Sequence, residues 1–330
     1  MPFPSQYRGR FAPSPTGPLH FGSLVAAVGS YLDARHHQGK WLVRIEDLDT
    51  PRTVTGAADD ILGTLVAHGL YWDEEIIYQS RRTAAYESAF HRLKQDGSVY
   101  PCCCTRKEIA DSALHGVDGQ IYPGTCRNGI PAGREARAWR VRTDHIPSPL
   151  VGEGARERGR LEATSPSPQP SPIKGEGVIK FNDALQGRIT QHLEKEIGDF
   201  VVKRADGLFA YQLAVVVDDA AQGVTNVVRG ADLLYSTPRQ IYLQHLLGLP
   251  TTAYMHLPVA VNAQGEKLSK QTLARPVEKS NAVSTLFDAL VFLRQYPPAE
   301  LRLGTIEEML AWAAANWQPQ RLSNCLHLTA

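Results

Sequence analysis

Two short stretches, far apart in the chain, carry residue types suited to holding phosphate. The first is Arg10-Phe11-Ala12-Pro13-Ser14-Pro15-Thr16-Gly17-Pro18-Leu19-His20-Phe21-Gly22-Ser23. Proline and glycine at this density fix a turn and exclude a regular strand or helix. The turn delivers His20, Gly22 and Ser23 to the start of Leu24 to Arg35, whose apolar spacing is helical. A helix start offers unpaired amides and the positive end of a dipole, both suited to an anion. Gly22 lets a phosphate approach the backbone closely, and His20 can donate a hydrogen bond as charge builds in a transition state. The second stretch is Lys267-Leu268-Ser269-Lys270-Gln271, on a polar loop that includes Asn262-Ala263-Gln264-Gly265-Glu266. A lysine is a point charge on a flexible stem, so Lys267 and Lys270 suit a mobile clamp that stabilises departing pyrophosphate. Either stretch alone is commonly a plain loop; the two in one chain point to one triphosphate held from two sides.

A third group is the cysteine cluster Cys102, Cys103, Cys104 and Cys126, set apart from the lone Cys325. Without a signal-like apolar segment at Met1 to Arg10, the expected compartment is the cytoplasm, where disulfides are rare. A C-x-C pair followed by Cys126 then reads as a tetrahedral zinc site. Such a zinc is structural, clipping a loop-rich segment.

The elements that must position these groups follow from periodicity. Residues 8–12 read as a strand, Lys40 to Ile45 as a buried strand, and 54–69 and 81–96 as amphipathic helices. Strand and helix in alternation predict an α/β fold with a parallel, doubly wound sheet. From Tyr100-Pro101-Cys102 to about Arg142 the sequence is turn-rich, which predicts an insertion between two halves of the sheet. Phe200 to Lys203 and Phe209 to Val217 read as strands resuming the sheet. A helix at Thr237 to Leu247, a strand at Ala253 to Val261 and helical spacing over 280–315 complete the pattern. Pro147 to Gly177 contains six prolines and five glycines, too little apolar surface to repay ordering, and reads as a disordered surface loop. It repeats itself (Pro147-Ser148-Pro149-Leu150-Val151-Gly152-Glu153-Gly154 against Pro170-Ser171-Pro172-Ile173-Lys174-Gly175-Glu176-Gly177), as a translated piece of repetitive DNA does. Long surface insertions cost little, so its deletion should leave activity in place.

The two phosphate-type stretches resemble the HIGH and KMSKS elements of class I aminoacyl-tRNA synthetases, in the form used by the glutamate branch. Ser23 stands where that element ends in histidine, as small residues do in this branch, and Gln271 replaces a serine. Arg44-Ile45-Glu46-Asp47-Leu48-Asp49-Thr50-Pro51-Arg52 matches the same branch, as do the segments around Tyr211 and Arg229. The resemblance implies a Rossmann-like parallel sheet split by a zinc-bearing insertion, with a small C-terminal helical subdomain. It implies ATP binding by His20, Gly22, Ser23, Lys267 and Lys270, of which His20, Lys267 and Lys270 are catalytic. Glutamate contacts fall on Arg10, Ala12, Ser14, Glu46, Tyr211 and Arg229. Bidentate arginine suits a carboxylate, so Arg10 and Arg229 are assigned to carboxylate, Glu46 to the α-ammonium and Tyr211 to a hydroxyl contact. Zinc ligands are implied at Cys102, Cys104, Tyr122 and Cys126, with Cys103 or His115 as alternatives for the fourth.

The chain ends soon after the second motif, without room for an anticodon-binding domain. It therefore resembles the short glutamyl-Q branch of glutamyl-tRNA synthetase paralogues. The implied reaction is tRNA-independent activation of glutamate with ATP, carried with Mg2+, then transfer to queuosine at the wobble position of tRNA(Asp). A truncated synthetase charging the 3′ end of tRNA(Glu) and a silent RNA-binding paralogue are the alternatives. The expected boundaries are 1–99 and 199–248 for the two catalytic halves, 100–198 for the insertion and 249–330 for the lysine loop and helices. Charge is nearly balanced, 35 basic against 34 acidic residues, so RNA contact must come from a local face. No apolar run is long enough to span a bilayer, and no exposed heptad pattern argues against a monomer.

Overall fold

The computed structural model describes residues 6–111, 115–116, 119–144, 177–268 and 275–330. Lys270 and Gln271, and the Pro/Gly-rich segment except Gly177, lie outside these. Strand β1 (Arg8–Phe11) enters the proline turn, and helix α1 (Phe21–His36) leads back to β2 (Lys40–Ile45), parallel to β1. Helix α2 (Ala57–Ala67) precedes β3 (Ile77–Tyr78), the next parallel strand, and α3 (Thr83–Gln95) leads to β4 (Val99–Cys102). The cysteine-bearing segment holds α4 (Arg106–Ala110), the short β5 (His115–Gly116) and β6 (Gly119–Gln120), and β7 (Ala138–Val141). A hairpin of β8 (Val178–Asp183) and β9 (Gly187–His192) follows, then β10 (Phe200–Lys203) and α5 (Tyr211–Ala221). The chain continues through β11 (Asn226–Gly230), α6 (Thr237–Leu246), β12 (Ala253–Leu257) and β13 (Val259–Val261). Helices α7 (Ala282–Phe292) and α8 (Ile306–Ala315) and strand β14 (His327–Thr329) end it.

Strands β11, β12 and β8 run parallel, with β9 antiparallel at the edge. β1 abuts β11, because Thr225 N donates to Arg8 O (3.0 Å) and Arg8 N to Thr225 Oγ1 (2.9 Å). The order across the molecule is β3, β2, β1, β11, β12, β8, β9. Chain direction of winding reverses between β1 and β11, and in such sheets ligands sit beyond the carboxyl ends of the strands at that reversal. Side chains alternate across the sheet. Trp41, Val43 and Ile45 join the core beneath α1, α7 and α8, while Leu42 joins the core beneath α3, α5 and α6. The two C-terminal helices therefore share one core with α1, tied further by Trp317 Nε1 donating to Asp33 Oδ1 at 3.0 Å. No helix among the described residues is long and apolar enough to cross a membrane.

Three expected strands differ. Ala253 to Val261 breaks at Pro258 into β12 and β13, and β13 pairs with β14. Phe200–Lys203 is a strand but pairs antiparallel with β7, completing the sheet β10-β7-β4 of the insertion instead of the parallel sheet. Phe209 to Val217 is not a strand: helix α5 begins at Tyr211. Its run of valines faces apolar neighbours almost all round, from Leu213 to Val216, and a helix buried on that scale loses the polar stripe that separates it from a strand in sequence.

Helix α1 is rich in small residues because it lies against the sheet on one side and two helices on the other. Gly29 marks the tightest approach: a Cβ there overlaps the Leu257 side chain. Gly29→Ala should cost about 1–3 kcal/mol through overpacking, although alanine favours helix. Equilibrium unfolding in denaturant checks this.

Candidate active site

The carboxyl ends of β1, β11 and β12 open into a cavity of about 580 Å³. Arg10, Ala12 and Ser14 line it from β1 and the proline turn, and His20, Gly22 and Ser23 from the start of α1. Tyr211, Arg229 and Lys267 close it from the second half of the chain. Nine residues that the sequence singled out thus meet in one place. Arg52 and Asp232 also line the cavity and were not among the expected site residues.

Arg229 is 5% exposed. Its Nε donates to His256 Nε2 (3.1 Å), and Nη2 to Thr237 Oγ1 (2.8 Å) and Leu233 O (3.5 Å). Nη1 lies 3.4 Å from the Tyr211 hydroxyl. None of these partners is a carboxylate. His256 in turn donates from Nδ1 to Asp183 Oδ2 (2.6 Å). Burial holds the imidazole pKa below its ordinary value, so the ring stays neutral and can accept from the arginine. Register explains the arrangement: Arg229 sits directly opposite His256 in the parallel pair β11–β12, and Asp183 beside Tyr254 at the end of β8.

Arg10, 3% exposed, is differently placed. Its Nε and Nη2 face Asp219 of α5 at 3.2 and 3.5 Å. Arg44 Nη1 reaches the same carboxylate at 2.8 Å, and Arg44 Nη2 lies 3.4 Å from Glu46 Oε1. Arg10 therefore enters the cavity wall already matched by an acid. Glu46 is not itself on that wall; its backbone N–H ties the turn to β2 by donating to Pro13 O (2.9 Å). Burial raises the Glu46 carboxyl above the usual range, with Arg44 and Arg10 pulling the other way. Asp218, the neighbour of Asp219, accepts from Gln79 (2.8 Å), Arg82 (2.5 Å) and Tyr86 (2.8 Å), which fixes α5 against α3. A pair of acids inside an apolar run was the signal for this network, and sequence reading gave it no role.

On the phosphate-type side, His20 caps α1, its Nδ1 accepting from Ser23 N at 3.3 Å while Nε2 lies 3.0 Å from Ser23 Oγ. A Cβ on Gly22 would meet only the His20 ring and Ala260 at ordinary contact distances. Lys267 Nζ pairs with Asp232 Oδ2 at 2.6 Å. Lys270 lies outside the described residues, but the flank before it is held to β13 and the flank after it to the first motif. Leu268 N donates to Ala260 O (2.8 Å), Pro276 bridges His20, and Val277 N donates to Leu19 O (2.8 Å).

The thiols of Cys102, Cys104 and Cys126 lie within 4.8 Å of one another and could hold a metal ion. Tyr122 Oη is 3.4 Å from Cys102 Sγ and 3.5 Å from Cys104 Sγ, and accepts from Cys126 N at 2.9 Å. Cys103 stands outside the triad, with its thiol 3.6 Å from that of Cys126. The side chain of His115 is outside those described. Arg140 donates from Nε to Cys102 Sγ (3.3 Å) and stacks 3.9 Å over the Tyr122 ring, placing a cation beside these donors. Burial pushes the Cys104 thiol up to about 11, a cost that a bound cation removes.

The family of class I tRNA synthetases (E and Q), catalytic domain, matches residues 6–122 and 171–296. The unmatched stretch between contains most of the Pro/Gly-rich segment. The glutamyl-Q tRNA(Asp) synthetase of Dechloromonas aromatica (strain RCB) is 58% identical over 315 residues, 95% of this chain and 94% of that one. Its namesake from Aromatoleum aromaticum is 56% identical, over 94% and 89%. The crystal structure of glutamate-tRNA synthetase from Elizabethkingia anophelis shares the fold, with a TM-score of 0.71 at 19% identity over 99% of this chain and 68% of that one. The chain belongs to the class I tRNA synthetases of the E and Q type and, within them, to the glutamyl-Q tRNA(Asp) synthetase family.

Proposed function

We propose that the protein activates glutamate with ATP, without tRNA, and passes it to the queuosine at the wobble position of tRNA(Asp). One observation carries the substrate: Arg229 is a buried cation on a cavity wall with only neutral described partners. A buried charge without a counter-charge is costly, so the site is built to receive an anion there, and the glutamate side-chain carboxylate supplies it. Tyr211, beside Nη1, adds a hydroxyl. The proline turn, with the Glu46 carboxylate behind it, receives the α-ammonium, and Arg10, held by Asp219, keeps that end of the wall rigid.

The α-carboxylate oxygen attacks the α-phosphorus of ATP. The bond to the β-phosphate oxygen breaks, and pyrophosphate leaves with the electron pair. No side chain acts as nucleophile; catalysis is positioning and charge stabilisation. His20 and the α1 amides receive the phosphates, and Lys267 exchanges Asp232 for pyrophosphate with Lys270. A cyclopentenediol hydroxyl of queuosine then attacks the acyl carbon and AMP departs.

Zinc fits the cysteine site. A tetrahedron with Zn–S near 2.3 Å and Zn–O near 2.0 Å has S···S edges of about 3.8 Å and S···O edges of about 3.5 Å. Here the Cys104–Cys126 separation is 3.6 Å and the two thiol–Tyr122 separations are 3.4 and 3.5 Å. Cys102, Cys104, Cys126 and Tyr122 would hold the ion, which supplies cross-linking and no chemistry. Cys126→Ser should reduce bound zinc from about one equivalent to little and open 100–142 to limited proteolysis. Metal analysis and a digestion time course check this. The division into catalytic halves 1–99 and 199–248, insertion 100–198 and terminal segment 249–330, acting as a cytoplasmic monomer, belongs to the same proposal.

Glutamate-dependent pyrophosphate exchange without tRNA tests the first step. Charging of tRNA(Asp) with and without queuosine, and of tRNA(Glu), tests the second. Transfer to the 3′ end of tRNA(Glu), or no exchange at all, would overturn the assignment.

A further inference from the structure

We infer that Asp183 and His256 are positioning residues that set the preference for a carboxylate over a carboxamide, by aiming Arg229 while leaving its charge for the substrate. This rests on the glutamate reading of the cavity and extends it to residues outside the cavity wall.

The geometry has an unusual economy of charge. An arginine must be held in a fixed plane if its fork is to meet a carboxylate squarely. The ordinary way to hold one is with an acid, and Arg10 is held so, by Asp219. Neutralising Arg229 in the same way would weaken its hold on a substrate anion. Here the acid is moved one ring further out. Arg229 Nε can only donate, so His256 Nε2 accepts and the ring proton lies on Nδ1, directed to Asp183 Oδ2 at 2.6 Å. His256 and Asp183 side chains are both fully buried. The other oxygen of Asp183 accepts from Leu185 N (3.0 Å) and Gln186 N (2.9 Å), which locks the carboxylate itself. Thr237 Oγ1, accepting from Arg229 Nη2, lies 3.1 Å from the same imidazole nitrogen and fixes the second edge of the fork. The imidazole thus transmits orientation and withholds the counter-charge.

Asp183→Asn is the sharpest probe. Its amide oxygen can still accept from Leu185 and Gln186, so the turn survives. Its NH2 then faces His256 Nδ1, which moves the ring proton to Nε2, against Arg229 Nε–H. His256→Leu removes the acceptor, whereas His256→Gln keeps a neutral acceptor at similar reach. Pyrophosphate exchange is measured with glutamate and with glutamine, alongside the KM for ATP and the unfolding temperature. The expected result is a glutamate KM raised about tenfold or more in Asp183→Asn and His256→Leu, reduced discrimination against glutamine, an unchanged ATP KM, and recovery to within about threefold in His256→Gln. A glutamate KM at the wild-type level in the first two variants overturns the inference. So does a His256→Gln protein as impaired as His256→Leu, or a joint loss of glutamate and ATP kinetics in all three, which marks a merely structural role. A wild-type protein without glutamate-dependent exchange overturns the reading of the cavity itself; a wild type with exchange and indifferent variants overturns only this inference.

Discussion

Arg229→Ala should lower kcat/KM for glutamate by about three orders of magnitude while leaving the KM for ATP close to its starting value. Removing one partner of a buried ion pair typically costs about 3–5 kcal/mol, because the remaining charge is stranded. Here the stranded group is the substrate carboxylate, in a cavity where no other unneutralised arginine is found among the described residues lining it at comparable depth: Arg10 is matched by Asp219. The loss therefore falls on glutamate and not on the nucleotide. Arg229→Lys restores the charge but not the fork or the donor to His256, so it should recover only part of the rate. Steady-state exchange kinetics with each substrate varied in turn separate these outcomes. An Arg229→Ala protein with the wild-type glutamate KM would remove the observation on which the substrate assignment stands.

The contrast between the two arginines shows how far the sequence could be read. Both stand out in it as candidates for the same task, since residue type and the family resemblance assign the two alike. What separates them is the identity of the neighbour across a strand pair or a helix turn: Asp219 for one, His256 for the other. That neighbour lies tens to hundreds of positions away and is chosen by strand register for His256 and by the packing of α5 for Asp219, neither of which is written in the local sequence. Local punctuation was legible for the opposite reason. The proline turn before α1, the buried apolar run of β2 and the C-x-C pair are each written within a few residues, and each sits where it was expected. Helix α5 was misread because a segment packed on nearly every side shows length and apolarity without phase. Asp232, which holds Lys267, escaped notice because a single acid after Arg229-Gly230 has no pattern; only the folded chain brings it 2.6 Å from the lysine.

The phosphate side offers the second large effect, and it can be separated from folding. His20→Ala should reduce kcat by about 10²–10³, the usual cost of deleting one preorganised transition-state donor. It also deletes a helix cap, since His20 accepts from Ser23 N, and caps contribute about 1 kcal/mol. His20→Ser keeps an acceptor at the cap but is too short to follow a phosphate, so its rate should fall as far as that of alanine while its stability stays nearer the wild type. Gly22→Ala makes the complementary case. The added methyl meets the His20 ring and Ala260 only at ordinary contact distance, so the fold accepts it, and alanine is the better helix former by up to about 1 kcal/mol. Its unfolding temperature should hold or rise. If ATP lies along the α1 amides, the same methyl occupies the space of a phosphate oxygen, and the KM for ATP should climb about tenfold or more. A Gly22→Ala protein that is both stable and unchanged toward ATP would place the triphosphate elsewhere. Stability and nucleotide affinity moving in opposite directions at one residue is an outcome that a purely structural proline turn does not produce.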